Sequence, residues 1–208
     1  MKKQLLILML ALLAQGAFAQ NNRSNDEFGT VFANDKMSNG GYGALSIAYT
    51  EIDNKDAFVV GARGGWIINH SFSLGLAGYG FINDVHYNDP FYDSFDYNLA
   101  GGYGGLFVEP IIAPMSPVHV SFPILLGFGA VSYIHEYDHW DYSWEREGLH
   151  DVFWVIEPAV ELEFNMTRFF RLAATASYRL TSDVDMDLTD PDLMKGMNVG
   201  LVFKFGKF

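Results

Sequence analysis

The sequence predicts an all-β chain, an up-and-down antiparallel transmembrane β-barrel of about eight strands. Three observations predict it. Apolar and polar residues alternate with period two through several long segments, and the polar side carries charges of both signs, the reverse of a soluble sheet. Phe170 to Leu180 is one case: Phe170, Leu172, Ala174, Ala176, Tyr178 and Leu180 share one face, and Arg171 and Arg179 lie on the other. The connections are also of two kinds, tight turns and long loops, as the two ends of an up-and-down barrel require. Finally, although 50% of the 208 residues are hydrophobic, glycine and polar residues interrupt every run well short of the roughly 20 apolar residues of a membrane-spanning helix.

Lys2 and Lys3 precede an apolar run from Leu5 to Leu13, and Ala17-Phe18-Ala19 supplies a small-x-small ending. This pattern predicts a secretory signal peptide over residues 1–19, cleaved before Gln20. There is no cysteine, hence no acceptor for a lipoprotein anchor and no disulfide framework. Residues 20–39 are polar and are expected to form a periplasmic tether; residues 40–208 are the expected barrel domain.

The strands follow in order. Gly40 to Thr50 points Leu45, Ile47 and Tyr49 outward, and a short acidic turn leads to Ala57 to Ile68, whose outward set is Phe58, Val60, Ala62, Trp66 and Ile68, with Arg63 opposite. Asn69 to Ser71 is a tight turn into Phe72 to Ile82, and a long loop, Asn83 to Asp96, follows. Tyr97 to Glu109 returns with Glu109 on the face of Tyr103 and Phe107, and Pro110 to Pro117 connects it to a single long strand, Val118 to Tyr133. Ile134 to His150 is a second long loop. Asp151 to Phe164 then places Glu157, Glu161 and Glu163 on one face and Trp154, Ile156 and Leu162 on the other. Asn165 to Arg168 turns tightly into Phe169 to Thr181, and a third long loop, Ser182 to Met194, precedes the last strand, Gly196 to Phe205. Strands of roughly 11 to 16 residues, tilted and rising 3.3 Å per residue, stand about 28 to 40 Å tall, sufficient for the apolar band of an outer-membrane barrel.

On these segments the chain resembles the small outer-membrane barrels of Gram-negative bacteria, the OmpA-barrel and OmpX-like group. It is also similar to a set of uncharacterised exported barrel proteins sharing stretches such as Gly61 to Phe72 (G-A-R-G-G-W-I-I-N-H-S-F) and Tyr103 to Ile112 (Y-G-G-L-F-V-E-P-I-I). The resemblance implies a fold, an outer-membrane location reached through the barrel insertion machinery, and contact with outer-membrane lipids including lipopolysaccharide; it implies no activity. Barrels of this group usually end in an aromatic residue, and Phe208 fits, though it is out of phase with the outward Phe203 and Phe205.

On the inward parity lie Arg63, Arg171, Arg179 and Lys204 against Glu109, Glu157, Glu161 and Glu163. Unpaired buried charge is costly, and eight strands enclose little more than side chains, so these eight are expected to form a salt-bridged filling. A proton path or gated pore is the competing reading.

The long loops hold most of the chain's acid and interleave it with Tyr87, Phe91, Tyr92, Phe95, Tyr137, Trp140, Tyr142 and Trp144. Exposed aromatic loops suit recognition of a surface protein or glycan; the alternative is an ordered rim that packs on itself and on lipid headgroups. A net charge of −12 argues against nucleic acid as a partner.

Three motifs mimic enzymes or metal sites. His135-Glu136-Tyr137-Asp138-His139 matches the zinc-protease pattern, but that chemistry needs both histidines one turn apart on a helix, and no helical periodicity surrounds them. Adventitious metal binding by His135, Asp138, His139 and His150 is the weaker version of that reading. Asp183 to Asp187 opens like an EF-hand, but Leu188 and Met194 stand where glycine and glutamate are required. Ser132, His135 and Glu136 sit near the outer rim, where a lipid A-modifying enzyme would work, yet on a strand His135 faces away from the other two. No cofactor, metal site or catalytic residue is expected. A lipid A-modifying enzyme is the second reading, and a soluble ligand-binding barrel or small channel the third.

Overall fold

The computed structural model describes residues 38–52, 55–83, 97–135, 150–186 and 190–208. The expected signal peptide and nearly all of the expected tether lie outside them. Among the described residues nine strands form: β1 Asn39–Ile52, β2 Lys55–Ile68, β3 Phe72–Asn83, β4 Tyr97–Ile112, β5 Val118–Ser121, β6 Ile124–His135, β7 His150–Asn165, β8 Phe170–Thr181 and β9 Gly196–Lys207. Every pairing is antiparallel; each strand pairs with its neighbours around the wall, β5 and β6 both lying between β4 and β7, and β1 pairs with β9, closing the sheet. A closed sheet leaves no unpaired edge.

The barrel nevertheless has eight staves, because β5 and β6 are one stave interrupted at Phe122–Pro123 where a single strand was expected. Val120 pairs with Ile112 and Leu162, and Ile124 with Val108 and Pro158, so the register runs unbroken across the interruption. Pro123 has no N–H to donate to the ladder, whereas its carbonyl still accepts from Ala159 N at 2.7 Å. Alternation survives as well: His119, Ser121, Pro123 and Leu125 are all buried.

Tight connections at 69–71, 113–117 and 166–169 share one end of the barrel, the turn end, with the C-terminus. Asn69 and His70 both have positive φ (52° and 58°), the left-handed pair of a type I′ hairpin, and Ser71 N donates to Ile68 O at 3.2 Å. The strand ends that flank 53–54, 84–96, 136–149 and 182–195 lie at the opposite end, the loop end. The first of these is only two residues long, so short and long connections do not alternate strictly.

The outer wall is apolar: Leu76 is 65% exposed, Phe128 72% and Phe58 60%, and Leu45, Val152, Trp154, Met197 and Val199 continue the band. A contiguous belt of this kind is incompatible with water on the outside and is the surface a barrel presents to hydrocarbon. One outward expectation fails: Ile68 is buried beside Ile67, because the alternation breaks where β2 enters its turn.

Inside, close packing replaces a pore. A Cβ at Gly61 would lie 2.2 Å from Cδ1 of Tyr79, whose ring stacks on Tyr103 at 5.1 Å between centroids. The glycine thus makes room for the Tyr79 ring. Gly61→Ala is expected to destabilise the barrel by about 1–3 kcal/mol through displacement of that stack, read as a lower urea midpoint in reconstituted vesicles.

Candidate functional site

The interior divides into three levels. Towards the turn end, β2, β4, β7, β8 and β9 bring Arg63, Glu109, Glu161, Glu163, Arg171 and Lys204 together, each with alternating neighbours that keep it inward. The Lys204 ammonium is the centre. It donates to Glu109 Oε1 at 2.6 Å and Glu163 Oε1 at 2.6 Å and lies 2.8 Å from Glu161 Oε2. Arg63 Nη2 donates to Glu161 Oε2 at 2.6 Å and lies 3.5 Å from Glu109 Oε1, and Arg171 Nη1 reaches Glu163 Oε2 at 3.4 Å. Three carboxylates thus meet three cations, with Glu109 0% and Lys204 1% exposed. Charges this deep are tolerable only when fully paired and hydrogen-bonded.

Neutral partners complete the cluster. The Tyr42 hydroxyl donates to Glu109, and Ser121 Oγ donates to Glu163 Oε1 at 2.5 Å. His119 Nε2 lies 3.1 Å from Glu163 Oε2 and 3.3 Å from Arg171 Nη1. Below them, Phe208 turns into the lumen. Its ring centroid is 3.9 Å from Arg171 Cζ and 5.9 Å from the Tyr42 ring. This explains why Phe208 is out of phase with the outward Phe205: it continues the inward row of Val202 and Lys204 and caps the turn end.

At mid-height, Glu157 Oε1 accepts from Ser177 Oγ (2.5 Å) and Asn198 Nδ2 (2.8 Å). Arg179 departs from the expected charge pairing with Glu157, Glu161 and Glu163. Its Nε donates instead to Met194 O at 2.6 Å, and its guanidinium lies 5.4 Å from the Tyr103 ring centroid.

At the loop end, the connection 182–195 departs from the exposed loop expected of it. Val184, Met186, Leu193 and Met194 are all buried, packed in one cluster with Ile52, Leu99, Val131 and Phe153. The Val-x-Met alternation within Asp183 to Asp187 is the sequence signal for this, but it runs one residue out of phase with the inward row that ends at Thr181, and the acidic residues between mask it. Asp185 N donates to Asp151 Oδ2 at 2.7 Å, and Lys195 Nζ clasps Asp183 (2.8 Å) and Asp192. The hydrogen bond to Asp183, then that to Asp192, holds the Lys195 ammonium above the ordinary lysine range. A raised cation stabilises the folded loop fully below the ordinary lysine pKa, and that contribution is lost only as the pH climbs through the raised value.

A cleft of about 510 Å³ opens beside this loop on the outer wall, lined by Tyr49, Glu51, Asp190, Asp192, Leu193, Lys195, Met197 and Val199. It joins the apolar wall to the acidic rim. The aromatics expected to serve recognition, Tyr87, Phe91, Tyr92, Phe95, Tyr137, Trp140, Tyr142 and Trp144, lie outside the described residues, as do Glu136, Asp138, His139 and the side chain of His135. Among the described residues the one carboxylate group with metal-ligand spacing is Glu109, Glu161 and Glu163, and the Lys204 ammonium already sits among its oxygens.

No protein-family model matches the chain, and no curated sequence matches it. Solved structures do. Neisserial surface protein A, NspA, superposes with a TM-score of 0.56 at 13% identity, covering 84% of this chain and 100% of its own. The N-terminal β-barrel domain of Pseudomonas aeruginosa OprF gives 0.44 at 12% identity, with 79% and 96% covered. Ail, the attachment invasion locus protein of Yersinia pestis, gives 0.47 at 11% identity, with 82% and 98% covered, in a complex with the heparin analogue sucrose octasulfate. The architecture of this chain, eight antiparallel staves with no helix among the described residues, is that of the small outer-membrane β-barrels.

Proposed function

We propose that the protein is a non-enzymatic outer-membrane barrel with a filled, charge-neutral lumen, serving envelope integrity or surface recognition through its acidic, aromatic loop end. The observation that carries this reading is the inversion of the barrel: an apolar outer wall around buried, mutually neutralised charge. Hydrocarbon outside accounts for the wall, and the tight lumen leaves no room for a lipocalin-like ligand. Residues 1–19 would direct export and be removed, residues 20–39 would lie in the periplasm, and the insertion machinery would place the barrel among outer-membrane lipids including lipopolysaccharide.

Recognition is assigned to the loop end because function there costs the barrel nothing. The cleft beside Asp190 and Asp192 combines an apolar floor with excess negative charge, which suits a protein or glycan partner presenting a cation beside an apolar group. The lipid A-modifying alternative needs a nucleophile and a base on one face, and the odd spacing of Ser132 and His135 in the sequence puts them on opposite parities of a strand.

Fractionation tests the location. The protein is expected in the outer-membrane fraction, running faster on unheated than on heated gels; recovery from the soluble periplasm without detergent contradicts the reading. Protease or label applied to intact cells is expected to reach 136–149, and access only after cell rupture would reverse the orientation.

A further inference from the structure

The surface charge of the barrel is divided between its two ends. Among the described residues the exposed acidic side chains, Glu51, Asp56, Asp183, Asp185, Asp190 and Asp192, all lie at the loop end. Towards the turn end the acidic side chains are Glu109, Glu161 and Glu163, buried in the lumen and already neutralised, whereas Arg168 and Lys207 are exposed. Neither cation makes an ion pair or a side-chain hydrogen bond among the described residues.

The fold sets these two cations side by side. Phe170 pairs with Phe205 across β8 and β9, their rings stacked at 4.9 Å between centroids, and one step further Gly206 N donates to Phe169 O at 2.9 Å. Arg168 and Lys207 therefore follow on neighbouring staves just past the aromatic pair. Adjoining like charges repel, and an anion shared between them turns that repulsion into attraction. Exposed Met166, Phe169 and Phe205 make the surroundings apolar. On the other side of β9, Lys207 pairs with Gly41 and Phe205 with Gly43 on β1, and these pair in turn with Trp66 and Gly64 on β2. A Cβ at Gly43 would meet nothing within 4 Å, so the wall between Phe205 and the exposed Trp66 is open to a slender apolar chain.

The occupant must carry negative charge at the level of Arg168 and Lys207 and apolar length beside them. A soluble anion satisfies only the cations, and a zwitterionic lipid brings a cation of its own to oppose them. We infer that this face binds an anionic phospholipid, its phosphate between Arg168 and Lys207 and an acyl chain along Gly41 and Gly43 beside Trp66. Basic side chains of this length reach a headgroup while their stems lie on the apolar wall. The inference rests on the outer-membrane location proposed above and adds the class of lipid that the turn end selects.

Trp66 reports on this face, and Trp154, outward at the loop end, reports on a distant part of the same wall. Two proteins, each keeping one of these and carrying phenylalanine in place of the other tryptophans, are reconstituted in vesicles of equal phosphatidylglycerol and phosphatidylcholine, one lipid or the other having brominated chains. Brominated phosphatidylglycerol is expected to quench Trp66 the more strongly, corresponding to about a tenfold local preference for the anionic lipid. Trp154 is expected to show no such preference. Arg168→Gln together with Lys207→Gln is expected to abolish the preference at Trp66, and added inorganic phosphate to leave it in place. Equal quenching of Trp66 by the two lipids, a preference that survives the double substitution, or the same preference at Trp154 overturns the site. Displacement by inorganic phosphate also overturns it, since that outcome marks a simple anion site. Absence of quenching by either lipid contradicts the membrane location as well, which separates the failure of that reading from the failure of this one.

Discussion

Replacing Lys204 by methionine is expected to cost the barrel about 3–5 kcal/mol, read as a fall in the urea unfolding free energy in lipid vesicles. The ammonium lies within 2.8 Å of oxygens from three glutamates, and among the described residues it is the only group that contacts all three. Without it, Glu109, Glu161 and Glu163 keep only Arg63 and Arg171, so a net negative charge is stranded away from water. Exposed ion pairs are worth about 0–1 kcal/mol, so a loss of that size would show the cluster to be hydrated and loosely held. Adding Glu161→Gln to Lys204→Met restores neutrality and is expected to recover part of the loss. Lys204→Arg is not a conservative change here, because a planar fork cannot replace a point charge among three converging carboxylates.

Phe128→Arg is expected to cost about 2–4 kcal/mol, the cost of a guanidinium near the bilayer midplane. Phe128 is 72% exposed near the middle of the stave formed by β5 and β6. In a water-soluble barrel the same substitution would be neutral or favourable, because it removes an exposed aromatic ring from the surface. Arginine at Met166, 58% exposed in a turn outside the strands, provides the contrast and is expected to cost nearly nothing.

The fold was legible because period two carries two messages at once: which segments are strands and which side of each faces its solvent. Val152 to Phe164 states both with its glutamates on one parity and Trp154, Ile156 and Leu162 on the other. Parity also held across the Pro123 interruption, which is why reading one strand there misplaced no side chain. It placed the charged residues on the inward side, but it could not say which would meet. Partner choice depends on stagger between neighbouring staves, and that stagger takes Arg179 to the Met194 carbonyl and brings His119 and Tyr42 into the cluster. The inward-folding loop was hidden for a different reason. Asp183, Asp185, Asp190 and Asp192 give 182–195 the composition of a solvated rim, whereas its burial depends on four apolar residues that follow no single period. Within the EF-hand-like spacing, Asp183 accepts from Lys195 Nζ and Asp185 N donates to Asp151, contacts that hold the stopper in place.

Reconstitution of the protein in planar bilayers tests the filled lumen most directly. The neutralised cluster around Lys204 and the apolar stopper formed by Val184, Met186, Leu193 and Met194 predict no steady conductance above that of the bare membrane. A stable, ion-selective current at low voltage would contradict it.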